Sequence, residues 1–275
     1  MKLLTLNTHS LAEENYKRKL SDFVEVIARE RPHVMALQEV NQGQDAPEIS
    51  TKKLTGYVAC QSDVILRRGN HALAVAEGLS ALGIRYHWTW LPVKRGYGIY
   101  DEGVAILSRF LLESTEVLPV SHTQDYGCWK TRKLLGARIG GIWFYSVHLG
   151  WWDDPDEPFA GQWARIHRHM AHRDPVFLMG DFNSPAETRR EGYDLIIRDG
   201  WADTYVLATS RDKGITVGGR IAGWTHRELP SEGARVDHIF CNRPWRISSS
   251  RVIFNGDNGP VVSDHFGVMV ATTDG

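Results

Sequence analysis

Two oxygen-bearing side chains, Asp181 and Asn183, stand one residue apart where the apolar run Val176-Phe177-Leu178-Met179 breaks at Gly180. Such a run reads as a strand buried on both faces. Alternate residues of a strand share a face, so carboxylate and carboxamide point the same way at the mouth of a sheet. That pair suits a hard divalent cation and a phosphoryl group; its plain alternative is an Asx-type turn closed by Pro185. Further polar sites stand at comparable places. Asn7, Glu39, His148, Asp237 and the pair Asp264-His265 each follow or interrupt an apolar run. Singly, each has a structural reading: a turn residue for Asn7, a solvated strand end for Glu39, a satisfied core histidine for His148, a cap for Asp264. Their joint recurrence argues for one site. Asn7, Glu39 and Asp181 offer oxygen ligands to Mg²⁺ or Mn²⁺. His148 and His265 suit acid–base work or stabilisation of charge on a phosphorane-like transition state. Either Asp181 or Asp264 can orient a water or a histidine.

The elements that must position these groups follow from periodicity. Lys2 to Thr8 reads as a strand that delivers Asn7. From Lys17 to Glu30, Leu20, Phe23, Val24, Ile27 and Ala28 fall on one helical face, and Pro32 closes the helix. His33 to Leu37 is a second strand, ending in Gln38-Glu39, with a polar loop from Gln42 to Lys53. Asn70 caps a helix to Leu82. Tyr86 to Val93 is an aromatic strand, followed by a glycine- and tyrosine-rich loop at Arg95 to Tyr100. Gly103 to Arg109 is a strand with Leu112 to Val120 as its hairpin partner. Trp129 to Ile139 and Gly141 to Leu149 form a hairpin that carries His148 near its end. Helices are expected at Pro158 to Arg173 and Thr188 to Asp199, and strands at Val236 to Cys241, Ile247 to Phe254 and Phe266 to Ala271. Residues 201–233 stay unassigned. Strands outnumber helices, which argues one α+β domain over 1–275, with packed sheets and helices outside.

Composition is that of a soluble globular protein, with 42% hydrophobic and 24% charged residues. A formal net charge of −1 gives no global basic field to draw in a polyanion. Cys60, Cys128 and Cys241 are odd in number and lack a C-x-x-C pair, which fits a reducing compartment. No run is long and apolar enough for a membrane span, and the start lacks a signal-peptide core, so a cytoplasmic protein is expected.

Leu-Asn-Thr at the start, Leu-Gln-Glu-Val, Gly-Val-Ala-Ile-Leu-Ser-Arg, Ser-Val-His-Leu, Gly-Asp-Phe-Asn, Val-Asp-His-Ile and Ser-Asp-His-Phe follow one another in the order seen in the endonuclease/exonuclease/phosphatase superfamily. The chain resembles that family over residues 1 to 271, and the combination is specific where no single piece is. The resemblance implies the DNase I-like fold, a four-layered α/β/β/α sandwich, and Mg²⁺-dependent phosphoester hydrolysis, with Mn²⁺ able to substitute. Carried over by position, Asn7 and Glu39 resemble the phosphate- and metal-side pair. Asp181 resembles the residue that activates the water, and Asn183 the one that steadies the transition-state oxygens. His265 resembles the histidine beside the scissile phosphate, partnered by Asp237 or Asp264. His148 resembles a second histidine that leans on a carboxylate of an earlier strand, here Glu102 with Asp101 as the neighbouring alternative. Leu-Asn-Thr-His-Ser, the Trp88 to Trp90 segment before Asp101-Glu102-Gly103, and the run His148-Leu149-Gly150-Trp151-Trp152 resemble maltose 6'-phosphate phosphatase-like proteins.

Lys130, Arg132 and Lys133 form a basic cluster on an expected strand, with Lys130 and Arg132 on one side as candidates for the substrate phosphate. His167, His169 and His172 share an expected helix and read as a solvated face. Trp151 and Trp152 are candidates for stacking on a sugar or base. Asp153, Asp154, Asp156 and Glu157 make an acidic lip beside them, while Trp88, Trp90, Tyr97 and Tyr100 precede Glu102. Three functions compete: a phosphatase of a small phosphorylated sugar, a DNA endonuclease or exonuclease of the abasic-site or DNase I type, and a catalytically silent binding module. The intact polar set weighs against the last. Near-zero net charge weighs against the nuclease, because duplex binding rests on phosphate neutralisation.

Overall fold

The computed structural model describes residues 1–219 and 231–273. In chain order the strands are β1 (Lys2–Asn7), β2 (Val34–Gly43), β3 (His87–Gly96), β4 (Tyr100–Ser108), β5 (Ser114–Pro119), β6 (Lys133–Ile139), β7 (Ile142–His148), β8 (Val176–Asp181), β9 (Ala202–Asp203), β10 (Ser210–Arg211), β11 (Asp237–Cys241), β12 (Ile247–Ile253) and β13 (Gly267–Thr272). The helices are α1 (Tyr16–Glu30), α2 (His71–Ala81), α3 (Phe159–Met170), α4 (Gly192–Arg198) and α5 (Thr204–Leu207). One sheet has the order β10-β12-β13-β1-β2-β4-β3 and the other β5-β6-β7-β8-β11-β9.

The burial pattern makes the layers. Leu3, Val34, Ala36 and Ile106 of the first sheet meet Leu135, Phe144, Phe177, Met179 and Ile239 of the second in a shared apolar layer. The opposite face of the first sheet, through Leu4, Leu6, Met35 and Leu37, packs on Phe23 and Ile27 of α1 and on Val75 and Leu79 of α2. The opposite face of the second, through Tyr145, Leu178 and Phe240, packs on Trp163 and Ile166 of α3 and Ile196 of α4. The period-2 alternation of each central strand therefore feeds two cores, and the result is an α/β/β/α sandwich. A buried polar bridge crosses the layer below the site: Gln38 Nε2 donates to Ser146 Oγ at 2.9 Å, and Ser146 Oγ donates to Leu37 O at 2.9 Å. Asn70 caps α2 as expected, its side chain accepting from Leu73 N at 3.2 Å. No helix among the described residues is long and apolar enough to cross a membrane.

Several expected elements differ. The segment after Arg109 does not fold back on β4; β5 crosses to the other sheet and pairs with β6, because β4 already lies between β2 and β3. The expected polar loop at Gln42 begins later, since β2 runs to Gly43 through a register shift between Leu37 and Val40. The strand expected from Trp129 begins only at Lys133, so Lys130 and Arg132 lie in the turn before β6. Helix α4 starts at Gly192 rather than Thr188, and His172 falls beyond the end of α3. Of the unassigned stretch, the described part supplies β9, β10 and α5, while residues 220–230 lie outside the described residues.

Candidate active site

Four strand ends and one bulge bring the polar residues together. Asn7 ends β1, His148 ends β7 and Asp181 ends β8, all on parallel neighbours within their sheets. Asp237 opens β11 and stands opposite Asp181 in the antiparallel register. Gly180 is required here by close approach, since a Cβ would lie 1.9 Å from Val147 O. Glu39 is not at a strand end. It is the extra residue of the β2 irregularity, in left-handed backbone with φ of 49°. The bulge leaves Leu37 and Val40 in the outer core and frees Glu39 to line the pocket.

Asn7 joins the two sheets at the site. Its Nδ2 donates to Glu39 Oε1 at 2.9 Å and to Asp181 Oδ2 at 3.2 Å. Its oxygen instead accepts from His9 N at 3.3 Å. In this arrangement Asn7, expected as an oxygen ligand, presents an amide NH₂ that holds two carboxylates together against their repulsion. Asp181 also accepts from Asn183 N at 2.8 Å, and Asn183 Nδ2 donates to Leu149 O at 2.9 Å and, at 3.4 Å, to Asp181. Asn183 Oδ1 accepts from Trp151 Nε1 at 3.1 Å.

Of the two open partners for His265, the structure selects Asp237, whose Oδ2 lies 2.9 Å from Nδ1. Asp264 turns to Ser263 Oγ at 3.3 Å, and its backbone N–H donates to Glu13. His148 pairs with neither expected carboxylate. Glu102 lies 3.0 Å from Lys94 Nζ, its partner in the β3–β4 register, and Asp101 is bound by Gln42, Gln44 and Tyr126. The carboxylate near His148 is Asp181, at 3.7 Å from Nε2; that same oxygen of Asp181 is 3.9 Å from His265 Nε2.

These surroundings set the protonation states. Burial opposes charge on His265, yet Asp237 and Asp181 outweigh it and push its pKa up to about 10. Burial, with Arg132 and Lys94 nearby, holds His148 well below the ordinary histidine value. Burial raises Glu39 to about 7, helped by the like charge of Glu102. Burial, with the like charge of Asp237 adding to it, raises Asp181 to about 6, although His265 opposes the shift. A cluster of buried carboxylates lifted in this way is short of positive charge.

A hard divalent cation fits that deficit. The donors are carboxylate oxygens, and Asp237 Oδ1 is buried with no hydrogen-bond partner. Asp181, Asp237 and His265 bring candidate ligand atoms within 4.8 Å of one another. Nδ1 of His265 is committed to Asp237 and the ring is held charged, which makes it a poor ligand. Glu39 and Asp181, spanned by Asn7, are the better pair.

The pocket over this floor has a volume of about 260 Å³ and is lined by Glu39, Lys94, Tyr97, Glu102, Trp129, Arg132, His148, Trp151, Asp181 and His265 among others. Arg132 reaches it and Lys130 does not: Lys130 Nζ lies 2.8 Å from Asp154 and 2.6 Å from Asp156. Trp151 lines the pocket, whereas Trp152 packs on Phe159. Trp88 and Trp90 are fully buried, donating to Thr55 O and Val40 O, so they offer no face to a ligand. The acidic lip is largely structural. Glu157 accepts from the His122 and Thr123 backbone, and Asp154 from the Asp156 and Glu157 backbone. The three-histidine face is also partly paired, with His169 against Glu116.

Lys94 and Trp129 are pocket residues that the sequence reading passed over. Lys94 had a signal, since it and Glu102 are opposed charges on the arms of one hairpin. Trp129 had none.

The profile of the Endonuclease/Exonuclease/phosphatase family matches residues 4–265. The chain belongs to this family, whose members are metal-dependent hydrolases of phosphoesters. Comparison with curated proteins finds no match. Among solved structures, the chain is similar to an endonuclease/exonuclease/phosphatase family protein from Leptotrichia buccalis, with 31% identity, 99% of each chain covered and a TM-score of 0.86. It shares its fold with the mannosyl-6-phosphatase Bt3783 from Bacteroides thetaiotaomicron, at 15% identity, 99% of each chain and a TM-score of 0.65. It shares it equally with the 3' phosphatase NExo from Neisseria bound to a product DNA hairpin, at 19% identity, 99% of each chain and a TM-score of 0.64.

Proposed function

We propose that this chain acts as a single domain over 1–275 and is a Mg²⁺-dependent phosphatase of a small phosphorylated sugar, with Mn²⁺ able to substitute. The observation that carries the reading is the buried floor of Glu39, Asp181, Asp237 and His265 beneath a pocket of about 260 Å³, close to the size of a small ligand. Glu39 and Asp181 would hold the cation, which supplies polarisation of a phosphoryl oxygen when bound. Asp181 accepts the proton of the attacking water. His265, kept charged by Asp237, donates a hydrogen bond to the phosphoryl group as negative charge grows. Asn183 gives up its long bond to Asp181 to donate to a phosphoryl oxygen. His148 stays neutral beside Asp181.

The mouth supports a sugar. Trp129 and Trp151 stand with ring centroids 5.3 Å apart, and aromatic faces suit the C–H side of a pyranose. At the rim Lys130 is neutralised by Asp154 and Asp156, which leaves Arg95 as the exposed cation of the pocket lining, a sparse basic surface for a duplex. Similarity in fold to a 3' phosphatase bound to a product DNA hairpin makes a nucleic acid the second reading. The test sets phosphate release from maltose 6'-phosphate and related sugar phosphates beside nicking of plasmid and abasic-site DNA at matched salt. Sugar-phosphate turnover with little nicking is expected. Robust DNA cleavage without sugar-phosphate turnover would overturn the assignment.

A further inference from the structure

Two cations, Lys94 and Arg132, are buried in the pocket wall beside His148, and they share one carboxylate. Lys94 is 7% exposed and Arg132 is 5% exposed. Glu102 pairs with Lys94. Arg132 has no ion-pair partner among the described residues. Its Nη1 donates to Trp129 O at 2.8 Å and Thr131 O at 3.1 Å, and its Nε is buried with no hydrogen-bond partner. A buried guanidinium is costly to keep charged when its carboxylates, Glu102, Asp181 and Glu39, act on it only from beyond contact distance, and an anion in the pocket would complete it. Lys94, Glu102, Arg132 and His148 line this pocket and also a recess of about 10 Å³, room for a single water. The carboxylates across the pocket do not fill this need. Glu39 and Asp181 are the groups that would face a metal ion, and Asn7 ties them to each other.

We propose that Arg132, aided by Lys94, forms an anion receptor that selects a phosphomonoester dianion over a phosphodiester. A monoester carries nearly two negative charges near neutral pH and three non-bridging oxygens. A diester has one charge, two such oxygens and a second alcohol. The excess cation matches the additional charge, and the planar guanidinium, fixed on one edge by two backbone carbonyls, offers its remaining N–H groups in a set orientation. This inference rests on the hydrolase reading for its biological meaning, but the binding it describes is separate from turnover. Arg132 is a specificity-determining residue in this account, and it takes no proton.

The experiment measures binding of methyl phosphate and dimethyl phosphate to the full chain with Mg²⁺ by calorimetry at a pH where methyl phosphate is a dianion. The wild type is expected to favour methyl phosphate by about tenfold or more. Arg132→Gln is expected to collapse that ratio, and Arg132→Lys to restore part of it. If Arg132→Gln fails to fold, the wild-type ratio together with Lys94→Gln decides. A wild-type ratio near one overturns the proposal, as does an unchanged ratio in folded Arg132→Gln. Binding is read without turnover, so a missing hydrolytic activity counts against the hydrolase reading alone.

Discussion

His265 and His148 stand near the same oxygen of Asp181, and their surroundings drive them to opposite states. Around His265 lie Asp237 and Asp181, which hold the ring charged with a pKa of about 10. Around His148 lie Arg132 and Lys94, which together with burial keep the ring neutral. One wall of the pocket is short of positive charge and the other is short of negative charge. A phosphoester and a divalent cation are the partners that would complete both. Titratable groups pushed apart in this way mark the division of labour in a site.

The contrast can be broken at its acidic wall first. Asp181→Ala and His265→Ala are each expected to cut kcat by roughly 10²-fold or more, the scale of a lost acid–base or charge-stabilising group. Stability has to be read beside kcat, because His265→Ala leaves Asp237 buried without its counter-charge and Asp181→Ala removes the acceptor of Asn7 and Asn183. A folded variant within a few-fold of wild-type kcat would show that the group is not used. Glu39→Gln is expected to raise the Mg²⁺ concentration needed for half-maximal activity by at least roughly tenfold, because a charged hard ligand becomes a neutral one. A Mg²⁺ titration of activity reads this directly.

The pH profile sharpens the comparison. Glu39 at about 7 and Asp181 at about 6 must lose protons to hold the cation, so at limiting Mg²⁺ activity should rise with pH through that window, and saturating Mg²⁺ should move this acid limb to lower pH. His265 must keep its proton, so activity should fall as pH passes about 10. Asp237→Asn removes the neighbour that raises His265, and the alkaline limb should move to lower pH. A fixed alkaline limb would assign that limb to another group. Glu102→Gln is a subtler probe. Glu102 raises Glu39 by like-charge repulsion, so its loss should move the acid limb to lower pH. A shift in the alkaline limb alone would instead indicate that it serves a histidine. The smallest effect is expected at the mouth. Trp129→Ala and Trp151→Ala should raise KM for a sugar phosphate several-fold while sparing a generic aryl phosphate, and equal losses on both would deny a sugar-stacking role.

Much of the site was legible because its residues terminate apolar runs. Asp181, His148 and Asn7 can be placed at strand ends by pattern alone, since a strand must end where its buried alternation stops. What was hidden depended on pairing between distant segments. The bulge at Glu39 is a register shift against β4 and leaves no local mark. The crossing of β5 to the second sheet follows from β3 already occupying the edge of β4, which no short window reveals. Trp88 and Trp90 alternate on one strand face, and only tertiary packing tells an inward face from a ligand-facing one. Asp154 and Glu157 look like solvated acids, but both accept backbone N–H groups.

The metal dependence of the pocket is read in a single assay: inorganic phosphate released from a sugar phosphate by metal-stripped protein as Mg²⁺ is added back, run in parallel on wild type and Asp181→Ala. The expected result is no release in excess EDTA, saturable recovery with Mg²⁺ for wild type, and at least a roughly 10²-fold lower plateau for Asp181→Ala. Undiminished release in EDTA, or a folded Asp181→Ala with the wild-type plateau, would contradict a metal-dependent hydrolase centred on this pocket.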